Sequence, residues 1–89
     1  MKKVRIKVFG DVQGVFYRYS AREMALKLEL KGWCRNEGDG SVQVVIEGAP
    51  QEVNRFIDWS KKGPSMARVE KIEVNEEVIG EPEGKFEVR

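Results

Sequence analysis

GDVQGVFYR, residues 10–18, separates a strand-like run from a helix-like run. Where a strand turns into a helix, the first N–H groups of the helix have no intrahelical acceptor, and their aligned dipoles leave partial positive charge there. Gly14 can adopt the positive φ that lets successive N–H groups point into one hollow, and Arg18 adds a charged fork suited to phosphate oxygens. The segment therefore predicts an anion-binding loop, although a plain glycine turn beside a solvated arginine has the same pattern.

The patterns on either side of this loop indicate alternating strands and helices. A strand is predicted from Lys3 to Phe9, because apolar and charged residues alternate there. A helix is predicted to begin near Tyr17 and to stop at Lys31-Gly32, a basic last turn followed by glycine. The other predicted elements are strands over 33–36 and 41–47, a helix opening at Gly48-Ala49-Pro50, a strand over 68–78 and a short strand over 85–89.

The order βαββαβ, with a short fifth strand, predicts an α+β ferredoxin-like sandwich. In that plan an antiparallel sheet carries two helices on one face, and the chain forms a single domain over residues 1–89. Right-handed crossovers bring the first and third strands together, so the loop after the first strand should lie near Asn36. This fold alone does not identify a function, because it hosts binding, regulatory and catalytic domains.

Composition argues against several classes of partner. Sixteen basic and fifteen acidic residues give a net charge of +1, so we expect neither nucleic acid nor a membrane surface as a partner. No run is apolar enough for a membrane span or a signal peptide, and the single cysteine excludes an internal disulfide. We expect a cytoplasmic monomer. The 35% charged residues and the lack of threonine favour a thermophilic source.

Histidine is absent, which limits the chemistry available to the chain. The usual acid/base group at neutral pH and the commonest metal ligand are missing, and one cysteine cannot build a thiolate cluster. We therefore expect no metal and no cofactor. Cys34 is interpreted as a small buried hydrophobic residue, because no histidine is present to activate its thiol.

Two segments resemble the acylphosphatase family. Residues 10–18 resemble its first signature, in which glycine, one variable residue and Val-Gln-Gly-Val lead to an aromatic residue and an arginine. Gly32-Trp33-Cys34-Arg35-Asn36 resembles its second signature, with Gly40, Val42 and Gly48 at the expected offsets. Because both signatures occur at the right separation within the right order of elements, the resemblance covers essentially the whole chain.

The resemblance implies hydrolysis of acyl phosphates to carboxylate and inorganic phosphate without a metal. Arg18 matches the arginine that holds the phosphoryl group, and Asn36 matches the asparagine that positions the attacking water. Gly10 and Gln13 would shape the loop. The main-chain amides that would bind phosphate together with the arginine are those of Gly14, Val15, Phe16, Tyr17 and Arg18.

A carboxylate leaving group fits a chain without histidine. Its conjugate acid has a pKa of about 4, so it departs as a stable anion without receiving a proton, whereas an alkoxide would need one. We therefore expect poor activity on alkyl phosphates. Two alternatives stay open: a ferredoxin-like module that binds an acyl phosphate or another small anion without turnover, and an RNA-binding module, which the near-neutral charge disfavours.

One residue in the loop opposes the phosphate hypothesis. Asp11 would repel a phosphate if its carboxylate pointed into the hollow. We therefore expect the Asp11 side chain to face outward.

Overall fold

A computed structural model describes all 89 residues. The elements follow the predicted order, with somewhat different bounds. They are β1 Lys2–Asp11, α1 Tyr17–Lys27, β2 Lys31–Asn36, β3 Val42–Gly48, α2 Pro50–Ser60, β4 Arg68–Glu76 and β5 Glu87–Val88. Neither helix has the length and apolar content needed to cross a membrane.

The five strands form one sheet in the order β4-β1-β3-β2-β5. β1 pairs antiparallel with β3 and β4, which confirms that the first and third strands are neighbours. Period-two alternation places the apolar residues of β1 and β3 on the helix-bearing face, where they form much of the core. Those residues are Val4, Ile6, Val8, Val42, Val44 and Ile46, none more than 1% exposed.

The four strands β4, β1, β3 and β2 pair antiparallel, as predicted, whereas the short β5 pairs in parallel with β2. β4 finishes at the end of the sheet where β2 begins, and the connection over residues 77–86 crosses at that end from one edge strand to the other. β5 therefore runs in the same direction as its neighbour, and the sheet is mixed.

The predicted stop of the first helix was wrong. α1 ends at Lys27, and Glu29 takes the positive φ of 56° that a C-terminal cap requires. The Leu30 N–H then bonds the Ala25 carbonyl at 2.8 Å, and the Leu30 side chain is buried. Gly32 instead lies within β2, where a Cβ atom would approach the Val45 carbonyl oxygen to 1.8 Å. That glycine permits close approach of two strands.

Candidate active site

The loop between β1 and α1 is built around left-handed backbone conformations. Gly14 has φ of 75°, and Phe16, the residue preceding α1, has φ of 64° and ψ of 19°. A non-glycine residue pays of the order of 1 kcal/mol for this conformation, and such strain concentrates at functional sites. Gly10 lies within β1 at a bulge just before this loop, with φ of 132°, and a Cβ atom there would lie 2.1 Å from the Arg68 carbonyl oxygen.

The amides of this loop have no partners within the protein. None of the backbone N–H groups of residues 14–18 donates a hydrogen bond to a backbone or side-chain acceptor. The start of α1 has no capping side chain and no acidic residue in its first turn. Five adjacent donors and the positive end of a helix dipole are thus available to an anion.

The Arg18 guanidinium lies at the same place. Gly14 and Arg18 line one cavity of about 400 Å³. Nη1 of Arg18 donates a 2.7 Å hydrogen bond to the backbone oxygen of Arg89, while Nε and Nη2 have no protein partner. One nitrogen of the Arg18 guanidinium is therefore anchored, and the other two can donate to oxygen atoms of a ligand.

Asn36 is the last residue of β2, and it is exposed. Its side chain makes no hydrogen bond within the protein, so both the carbonyl and the NH₂ group of the carboxamide are available to water or substrate. It does not line the cavity that contains Arg18. Alternation along β2 puts Asn36 on the same face as Cys34, whose thiol lies 3.8 Å from the Arg18 carbonyl oxygen.

Gln13 joins the loop to the hairpin that follows Asn36. Its Nε2 donates to the carbonyl oxygens of Glu37 at 2.8 Å and of Ser41 at 2.9 Å. These two contacts hold the predicted loop and the predicted asparagine at one end of the sheet, as the topology argument required.

The floor of the site is buried and largely apolar. Tyr17 is buried, its hydroxyl donates to the Ser60 carbonyl at 2.9 Å, and its ring centroid is 5.3 Å from that of Trp59. Burial raises the pKa of the Tyr17 hydroxyl. Burial also raises the pKa of the Cys34 thiol to about 12, so that the thiol is protonated at neutral pH and is a poor nucleophile.

Asp11 lies outside the cavity. It is exposed, and it lines a separate shallow groove together with Asp39 and Glu70. No group of three or more His, Cys, Asp or Glu side chains is arranged to hold a metal ion.

Sequence reasoning missed two features of the site. The Arg18 contact with Arg89 joins residues 71 positions apart, and Tyr19 and Val88 line the cavity from different elements. No local pattern encodes the positions of Val88 and Arg89, since they depend on β5 lying beside β2.

Comparison with known proteins identifies relatives over the whole chain. The acylphosphatase family model matches residues 4–88. A protein named Acylphosphatase from Thermococcus kodakarensis is 48% identical over 86 residues, which cover 94% of this chain and 91% of that protein. Another of the same name from Rubrobacter xylanophilus is 48% identical over 88 residues, covering 99% of this chain and 80% of that protein. The crystal structure of acylphosphatase from Bacillus subtilis superposes with a TM-score of 0.95 at 35% identity, covering 100% of this chain and 99% of that one.

Proposed function

Because the chain belongs to the acylphosphatase family of enzymes, which hydrolyse acyl phosphates, we propose that it does so with Arg18, Asn36 and the loop amides and without a metal ion. The amides of residues 14–18 and the Arg18 guanidinium hold the phosphoryl oxygens. The observation that carries this proposal is the run of five unpartnered N–H groups beside a half-anchored guanidinium. The substrates would be small acyl phosphates, with inorganic phosphate as product and inhibitor.

Stabilisation of charge is the main task in this reaction. Phosphoryl transfer passes through a loose transition state with charge spread over three equatorial oxygens, so catalysis is mostly positioning and electrostatic stabilisation. Donors that are fixed before the reaction stabilise that charge without reorganising. The left-handed conformations of Gly14 and Phe16 fix the loop amides as such donors.

Asn36 would position the attacking water through its carboxamide. Water oxygen forms a bond to phosphorus while the bond from phosphorus to the carboxylate oxygen breaks, and the electron pair of that bond leaves on the carboxylate. Both protons of the water can remain on the product as dihydrogen phosphate. The reaction therefore needs neither a strong base nor a general acid, which agrees with a chain that has no histidine.

Two substitutions separate these roles. Arg18→Ala should abolish both turnover of an acyl phosphate and binding of inorganic phosphate. Asn36→Ala should preserve phosphate inhibition while lowering kcat by about a hundredfold or more. Arg22→Ala is the matched control, because Arg22 lies one turn further along α1 and pairs with Glu23 at 3.0 Å.

The measurements are the initial rate of acetyl phosphate hydrolysis, with and without inorganic phosphate, and calorimetric titration of each variant with inorganic phosphate. If Arg18→Ala and Asn36→Ala both kept wild-type turnover, or if both lost phosphate binding equally, the assigned roles would be wrong. Equal rates on acetyl phosphate and on an alkyl phosphate would contradict the argument from the leaving group.

A further inference from the structure

The cavity beside Arg18 is larger and more apolar than a phosphoryl group requires. A water molecule occupies about 30 Å³ in the liquid. A phosphoryl group, which is only a few times that size, fills a fraction of the roughly 400 Å³ present. Besides Gly14 and Arg18, every lining residue is apolar or aromatic: Val12, Phe16, Tyr17, Tyr19 and Val88.

The apolar residues form a floor and a rim. Val12 and Tyr17 are each only 1% exposed and make the floor, whereas Phe16 is 67%, Tyr19 60% and Val88 40% exposed. Of the eight aromatic residues in the chain, Phe16 and Tyr19 are the only exposed ones. Both line the cavity that contains the proposed phosphate-binding groups, and apolar surface exposed at a cleft is a common feature of ligand-binding sites.

The position of Asn36 agrees with a leaving group in this cavity. In an in-line displacement the attacking water and the leaving oxygen lie on opposite sides of phosphorus. Asn36 does not line the cavity, although it lies at the same end of the sheet. Water would thus approach on the Asn36 side while the acyl group leaves on the side of Tyr19 and Val88.

We propose that Phe16, Tyr19 and Val88 form an acyl-binding subsite that favours substrates with a bulky apolar or aromatic acyl group over acetyl phosphate. The inference rests on the proposed function. Aromatic faces stack on an aryl ring, and each buried apolar group contributes to binding of the acyl moiety.

The test compares kcat/KM for benzoyl phosphate and acetyl phosphate in the wild type and in single variants. Because the two carboxylates differ as leaving groups, the informative quantity is how the benzoyl-to-acetyl ratio changes on substitution. Tyr19→Ala should lower that ratio about tenfold, the scale of a lost apolar contact in a binding site. Val88→Ala should lower it less, and Tyr19→Phe should retain it because the ring is kept.

Met66→Ala is the matched control, since Met66 is 65% exposed and does not line the cavity. It should leave the ratio at the wild-type value. A ratio unchanged in both Tyr19→Ala and Val88→Ala would overturn the subsite while leaving the proposed hydrolysis intact. A wild-type protein that hydrolyses neither substrate would overturn the proposed function itself.

Discussion

The two helices have the same length, 11 residues, but their N-termini are built in opposite ways. α2 begins with Pro50, which has no N–H to satisfy, and carries Glu52 in its first turn, where a carboxylate complements the helix dipole. α1 begins after a left-handed Phe16, has no acidic residue in its first turn, and carries Arg18 instead.

The difference supports the proposal that the start of α1 binds an anion, whereas the start of α2 is built for stability. At the start of α2, the Glu52 carboxylate supplies negative charge. At the start of α1 no side chain does so, and a bound phosphate would supply that charge instead. The positive charge of Arg18 near a positive helix end is unfavourable in the unliganded protein. That arrangement becomes favourable when an anion binds between them.

The segment leading into α1 gives the largest expected effect, which is on stability. Gly10→Ala should destabilise the protein by about 3 kcal/mol, because its Cβ would overlap the Arg68 carbonyl in β4. Gly14→Ala should cost only about 1 kcal/mol, since no atom lies within 4 Å of its Cβ and only the left-handed backbone is strained. Urea unfolding of both variants measures the difference, and equal losses would contradict this reading of the loop.

Placing a carboxylate at the start of α1 should make it resemble α2. Tyr19→Glu occupies the third helical position, as Glu52 does in α2. It should stabilise the helix yet raise the inhibition constant for inorganic phosphate about tenfold, because the carboxylate repels the anion. Tyr19→Gln is the neutral control and separates charge from loss of the ring. A phosphate affinity that is the same in both variants would argue against binding at this helix start.

The reverse change tests α2. Glu52→Gln should lower the free energy of unfolding by about 0.5 kcal/mol at low salt, since it removes a favourable charge at the helix start and the 3.5 Å pair with Arg55. Turnover should stay at the wild-type value. Thermal unfolding at low and high salt checks both parts, and a loss of activity would mean that α2 contributes to the site.

The smallest expected effect is on the stability of the hairpin between β2 and β3, whose carbonyls accept hydrogen bonds from Gln13. This effect should be present near neutral pH and disappear in acid. Hydrogen bonds from Ser41 and from Lys7 lower the pKa of the Asp39 carboxyl below its ordinary value. A depressed pKa adds stability above the unfolded-state pKa of about 3.9, and this stability is lost as pH falls further. The Tm of the wild type should therefore exceed that of Asp39→Asn at pH 6, with the gap closing below about pH 4. A gap independent of pH would exclude this linkage.

Much of this arrangement could be predicted because local signals agreed with one another. Alternation in β1, the glycine loop and the helical spacing after Tyr17 all predicted a strand, a loop and then a helix, and the structure contains these elements in that order. The prediction that the first helix stops at Gly32 was wrong because glycine is common both at helix ends and where two strands approach closely. Only the position of the neighbouring Val45 carbonyl shows that Gly32 has the second role.

The rest depended on distant parts of the chain. The parallel pairing of β5 with β2 follows from how residues 77–86 cross the molecule, which no periodicity records. The Arg18 contact with Arg89 and the position of Val88 in the cavity depend on that pairing. The proposed acyl-binding subsite could therefore be inferred only from the three-dimensional structure, whereas the roles proposed for Arg18 and Asn36 follow from the two signatures.

Titration of the protein with inorganic phosphate, followed by the backbone amide signals in NMR, tests the comparison of the two helix starts most directly. The account predicts that the amides of residues 14–18 shift on saturation, while those at the start of α2, residues 51–53, do not. Phosphate binding that leaves residues 14–18 unperturbed, or that perturbs both helix starts alike, would contradict it.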